Sequence, residues 1–134
     1  MKAYTDIEQS KKLAEILPHE SADMYYHYNT SVVKNYHEDI PNIIQLNNHF
    51  TFFNDDIPCW SLATLLNILP SDVKTKDDCN YTLEIEKCDA EHLPCGLSYH
   101  DTWGRGEDII THYYDNFVDA CYEMIIKLHD LKLL

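Results

Sequence analysis

Tyr81-Thr82-Leu83-Glu84-Ile85-Glu86-Lys87 alternates apolar and polar side chains without a break. A period of two marks a strand with one face on a core and the other in water. Downstream, Phe117, Val118, Cys121, Met124, Ile125 and Leu128 recur at helical spacing, with Ala120 at the edge of the stripe and Asp119, Glu123 and Asp130 opposite. Such a stripe belongs to an amphipathic helix laid on a core. Asp115 or Asn116 supplies its N-cap, and Asp119 near its start with Lys127 near its end suits the helix dipole. Between strand and helix, Gly96 to Trp103 reads as a second strand, Gly104-Arg105-Gly106 as a turn and Ile109 to Tyr113 as the returning strand.

The same reading extends toward the N-terminus. Thr5-x-x-Glu8 fits a capping box, followed by Ile7, Leu13, Ala14, Ile16 and Leu17 on one side of a helix that Pro18 ends. Met24 to Tyr28 and Ser31 to Tyr36 read as strands, and Ile43 to Phe53 as a third, broken by Asn47-Asn48. Asn54-Asp55-Asp56-Ile57-Pro58 reads as a turn into an apolar helix from Cys59 to Leu69, with Pro58 in its first turn and Pro70 as its stop. Ser71 to Asp78 reads as a polar connection and Ala90 to Pro94 as a loop. The order helix, strands, helix, strands, helix predicts an α+β fold. A mostly antiparallel sheet with about three helices packed against it, in a single domain over 1–134, is the economical arrangement.

Composition narrows the function classes. The 134 residues are 45% hydrophobic and carry a formal net charge of −13. No apolar run reaches the roughly 18 residues of a membrane helix, and the first residues lack an apolar signal region. The expected setting is cytoplasmic. Asp77, Asp78, Glu84, Glu86, Asp89, Glu91, Asp101, Glu107, Asp108, Asp115 and Asp119 are opposed between positions 77 and 119 only by Lys87 and Arg105, eleven charges against two and a net of −9. Such a field repels phosphate backbones and attracts basic surfaces. It points to a protein partner with a basic surface rather than to direct nucleic-acid binding; its ordinary role is solubility.

Five cysteines, an odd number, suit reduced thiols. Cys88-x3-His92-x2-Cys95 could offer soft ligands to zinc, with Cys79 or His100 as a fourth, but the spacing matches no usual framework and no metal is expected. Cys59, at the start of the expected helix, could be an activated thiol beside a pocket walled by Trp60; its ordinary role is core packing. Gly104-Arg105-Gly106 lacks the length and lysine of a phosphate loop, so no cofactor is expected. Of the histidines, His37, His100 and His129 lie beside acids, but neighbours on a strand or helix point apart and form no dyad by themselves. Tyr25, Tyr26, Tyr28, Tyr36, Tyr81, Tyr99, Trp103, Tyr113 and Tyr114 fall in strands or at their edges, where alternation sends some outward to stack a ligand or meet a partner.

Three stretches carry a resemblance: Met1 to Pro18, Pro58-Cys59-Trp60-Ser61-Leu62, and Asp119 to His129. Together they resemble a family of short acidic proteins from gut Bacteroidetes genomes, often in prophages and mobile elements. The resemblance covers both ends and the central helix, and implies a bacterial or phage protein in the host cytoplasm. It assigns no catalytic residue. The expected function is non-enzymatic binding, with Tyr99, Asp101, Trp103, Glu107 and Asp108 as the contact patch. The alternatives are a small-molecule sponge with a pocket at Cys59 and Trp60, and a thiol or zinc enzyme using Cys59 or the group Cys79, Cys88, His92 and Cys95. A homodimer is plausible because a small two-layer domain leaves a sheet edge or an apolar face to cover.

Overall fold

The computed structural model describes residues 2–27, 41–44, 56–87, 94–104 and 106–134. Its elements are α1 (Ile7–Ala14), a short 3-10 turn (His19–Ser21), β1 (Met24–Tyr26), β2 (Asn42–Ile43), β3 (Ile57–Cys59), α2 (Leu62–Ile68), β4 (Asp72–Lys74), β5 (Asn80–Lys87), β6 (Cys95–Asp101), β7 (Ile109–Ile110) and α3 (Phe117–Asp130). They form an α+β fold with two antiparallel sheets, of order β2-β1-β3 and β4-β5-β6-β7.

The larger sheet follows from the alternation of its central hairpin. Tyr81, Leu83 and Ile85 of β5 stand opposite Asp101, Tyr99 and Leu97 of β6. Leu97 and Tyr99 are fully or almost fully buried, because α3 packs over β6 on that face. Burial fades along β5 toward Ile85, which is exposed. The intervening residues, Thr82 and Glu84 on β5 with Ser98 and His100 on β6, point to the opposite face.

Asn116 caps α3, accepting from the Asp119 amide at 2.9 Å. Val118, Ala120, Cys121, Met124, Ile125 and Leu128 are all fully buried. They meet Leu13 and Leu17 from the N-terminal segment, Trp60, Leu65 and Leu69 around α2, and Val73, Tyr81, Leu97 and Tyr99 from the sheet in one core cluster. Full burial of side chains this size is worth about 1.5–3 kcal/mol each before entropy is charged against it.

Several boundaries differ from the sequence expectation. The capping box of α1 is Asp6 with Gln9, one residue beyond Thr5 and Glu8. Thr5 is instead drawn inward: its amide donates to the Trp60 carbonyl at 3.0 Å, and its hydroxyl lies 2.7 Å from that of Ser10. Pro58 lies in β3, at the edge of its sheet, where a missing amide is tolerated. The helix that follows starts at Leu62, capped by Ser61. Residues within the expected connection 71–78 form β4, pinned by Val73 opposite Tyr81. The expected strand Ser31 to Tyr36, most of that from Ile43 to Phe53, and the segment holding Cys88 and His92 lie outside the described residues.

Candidate binding face

The solvent side of the β4–β7 sheet gathers the functional candidates. In its centre the imidazole of His100 lies between two carboxylates. Its Nδ1 is 2.6 Å from Asp108 Oδ2, and its Nε2 contacts Glu84. Glu84 comes from the neighbouring strand and Asp108 from the turn before β7, so one side chain ties three parts of the sheet. Asp72 flanks the group from β4, accepting from the Thr82 hydroxyl at 3.0 Å. The β7 side of the face is apolar: Ile110 is 53% exposed, and the Tyr113 ring covers Gly96 while its hydroxyl donates to Glu86 at 3.0 Å. A Cβ at Gly96 would stand 3.0 Å from that ring.

The turn between β6 and β7 is organised from beneath. Asp101 is buried, and its carboxylate accepts from the Trp103 amide at 3.0 Å and the Gly106 amide at 2.6 Å. Asp108 accepts in turn from the Asp101 amide at 3.3 Å. Gly104 takes a left-handed φ of +65°, natural for glycine. Gly106 runs so close to Tyr81 that a Cβ would stand 2.5 Å from the phenol oxygen. The result is a braced turn that holds Trp103 at 72% exposure, with Glu107 exposed and Asp108 half-buried nearby. Indole rings held in water at this level are common contact anchors in protein interfaces.

Of the expected contact patch, Trp103, Glu107 and Asp108 stand at the surface. Two members are corrected. Tyr99 is fully buried under α3 and donates to the Pro70 carbonyl at 2.7 Å, and burial raises its phenol pKa. Asp101 is the anchor of the turn rather than a contact. The signal was present in Gly96-Leu97-Ser98-Tyr99-His100-Asp101, whose alternation puts Leu97, Tyr99 and Asp101 on one face and His100 on the other. The sequence marks His100 only as a possible fourth zinc ligand beside an acid; its place between Glu84 and Asp108 is not legible there, because those partners lie on another strand and beyond a turn. His100 and Asp101 do point to opposite faces.

The expected pocket at Cys59 and Trp60 is filled by the pair itself. Both are fully buried, and the indole nitrogen donates to the Ser21 hydroxyl at 2.9 Å. Cys59 ends a strand instead of opening a helix. Burial raises its thiol pKa, against a partial lowering by hydrogen bonds with Thr5, Ser10 and Tyr26, so the thiolate is disfavoured. A separate open cleft of 570 Å³ lies along the N-terminal segment, lined by Lys2, Ala3, Tyr4, Asp6, Ile7, Glu8 and Tyr26. The Lys2 ammonium there is already held by Asp6 and Asp119 at 2.9 and 2.7 Å.

The zinc candidates separate. Cys79 precedes β5, and Cys95 pairs with Lys87 at the other end of that strand. A run of this length holds them about 25 Å apart. Cys95 is buried, and desolvation raises its thiol pKa. The two ring nitrogens of His100 face the carboxylates of Glu84 and Asp108, so the three do not converge on one point. Among the described residues no group of three metal-ligating side chains comes together.

Among the described residues no helix is long and apolar enough to cross a membrane. No family profile, curated protein or solved structure matches the chain.

Proposed function

We propose that this chain is a non-enzymatic binding protein that offers the solvent side of its β4–β7 sheet to a protein partner with a basic surface. The observation that carries the reading is the make-up of that face. Exposed Ile110 and Tyr113 stand beside Glu84, Glu86 and Asp108 on the sheet, and exposed Trp103 and Glu107 stand on the hydrogen-bonded turn at its end. Apolar anchors give contact area, while the surrounding carboxylates select a basic partner and speed its approach. The whole-chain charge of −13 extends that selection beyond the contact itself. The hydrogen bonds that hold the turn to Asp101 support the reading too, because a preorganised face loses little entropy on binding.

A thiol mechanism gains no support from Cys59, whose buried thiol is held in its neutral form. The proposed setting is that of the resemblance: a phage or mobile-element accessory protein acting on a host factor in a bacterial cytoplasm. A partner captured from bacterial lysate and then purified tests the proposal. Its affinity should fall at least tenfold for Trp103→Ala combined with Glu107→Gln, a substantial hot-spot loss. It should weaken further when salt is raised from 0.05 to 0.5 M, in ~threefold steps, as charges are screened. Undiminished affinity in the double variant, or a captured partner with an acidic contact surface, overturns it.

A further inference from the structure

We infer that the outer edge of β5, from Ile85 to Lys87, docks an extended peptide of alternating basic and apolar residues, supplied by a protein partner as one more strand. The backbone comes first. Every residue from Tyr81 to Lys87 pairs with β6 on one side of β5. On the other side β4 pairs with it only up to Thr82, and the Leu83 amide donates to the Ser71 carbonyl at 2.9 Å. Backbone groups of a strand alternate between its two sides. Since the Leu83 amide points toward β4, those of Ile85 and Lys87 point the same way, past the end of β4. Among the described residues nothing takes them. Both residues are exposed, on a strand whose other side is held by β6. The edge at β7 differs, because the Lys127 ammonium occupies the Ile110 carbonyl there.

Side chains select the occupant. Ile85 is 51% exposed at the rim of the core face, and Glu84 and Glu86 stand on the solvent face. Glu84 Oε2 meets His100 and Glu86 Oε2 the Tyr113 hydroxyl, and both acids remain exposed. A strand laid beside β5 sets apolar residues next to Ile85 and basic ones next to the two carboxylates. Lys87 adds a positive charge on the Ile85 side, where an apolar neighbour can lie along its stem. A second copy of this chain fits badly. Antiparallel pairing of β5 with itself about Glu84, Ile85 or Glu86 places acid opposite acid, which destabilises the pair. The carboxylates that repel a copy attract a basic strand. In strand addition, main-chain bonds give the affinity and alternate side chains the specificity. This edge goes beyond the face proposed above and needs nothing from Trp103 or Glu107.

The probe is a synthetic peptide that alternates lysine and valine over about six residues, a common strand length. It is blocked at both ends and titrated into the isotope-labelled full chain. Pairing should be antiparallel, as throughout this sheet, which turns the valine amides toward Ile85 and Lys87. Hydrogen exchange at the Ile85 and Lys87 amides should slow about tenfold at saturation. Methyl groups on the valine amide nitrogens should abolish binding, whereas methyl groups on the outward-pointing lysine amides should leave it. Both methylated peptides keep every charge, so the contrast separates strand addition from simple attraction of a cation to an acidic chain. Ile85→Pro, which removes an edge donor that β6 does not use, should also abolish binding. Glu84→Gln combined with Glu86→Gln, which keeps the strand, should weaken it about fivefold. Equal affinity of the two methylated peptides overturns the proposal. So does exchange at Ile85 and Lys87 that the peptide leaves unchanged, or a dimer of the chain that Ile85→Pro dissolves. Trp103→Ala combined with Glu107→Gln should bind the peptide as the wild type does, so failure of the edge and failure of the face are read separately.

Discussion

Gly106 shows how a single residue positions the proposed contact. Its backbone amide donates to Asp101, and its missing Cβ leaves room for the Tyr81 hydroxyl. Gly106→Ala must push the Tyr81 ring or the turn aside, at a cost of about 1–3 kcal/mol. Urea unfolding should show the loss, and Tyr81→Phe should return part of it by removing the clashing oxygen. Equal losses in both backgrounds would refute the close approach. Thr5 shows where residue-level reading runs out. Thr5 and Asp6 are both good caps, and each has an acid or amide three residues on. Only the distant Trp60 carbonyl, which takes the Thr5 amide, decides between them. Cys59 was similarly open to two readings, because Pro58 begins helices and also sits on edge strands.

At the scale of elements, α3 is fastened by its first turn as well as by its apolar stripe. Asp119 accepts from Lys2 Nζ, Gln9 Nε2 and Asn116 Nδ2 at 2.7, 2.7 and 2.9 Å, joining α3 to α1 and the chain before it. Burial pushes the Asp119 carboxyl pKa up, but the bonds from Lys2, Gln9 and Asn116 outweigh it, and the net shift is downward. A carboxyl lowered on folding contributes stability above its unfolded value, about pH 4, and loses it as pH falls through the folded value. Asp119→Asn should therefore cost about 1 kcal/mol at pH 7, discounted for partial exposure. Denaturant midpoints should show that the difference narrows below about pH 4. A difference that is constant or grows in acid would contradict the assignment. The α3 stripe and the β5–β6 hairpin were legible because their periods persist over many residues. β4 was not, because three residues with only Val73 buried carry too little pattern to separate from a connection. The edge at β7 carries its own cover: the Lys127 ammonium donates to the Ile110 carbonyl, occupying an acceptor that a further strand would use.

Across the whole molecule, the two faces of the larger sheet divide the work. One is sealed by α3 into the common core, and the other carries exposed aromatic and aliphatic side chains in a field of carboxylates. The charge imbalance between 77 and 119 was visible in the sequence; its placement around His100 was not, since the pairings of Glu84 and Asp108 with that ring cross strands and a turn. The most direct measurement is an amide and side-chain chemical-shift map of the isotope-labelled chain titrated with its captured partner. The account predicts perturbations clustered on Ser98, His100, Trp103, Glu107, Ile110 and Tyr113, with α1 and the outer side of α3 unchanged. A map centred on α1 and the cleft between Lys2 and Tyr26, with the sheet face silent, would contradict it.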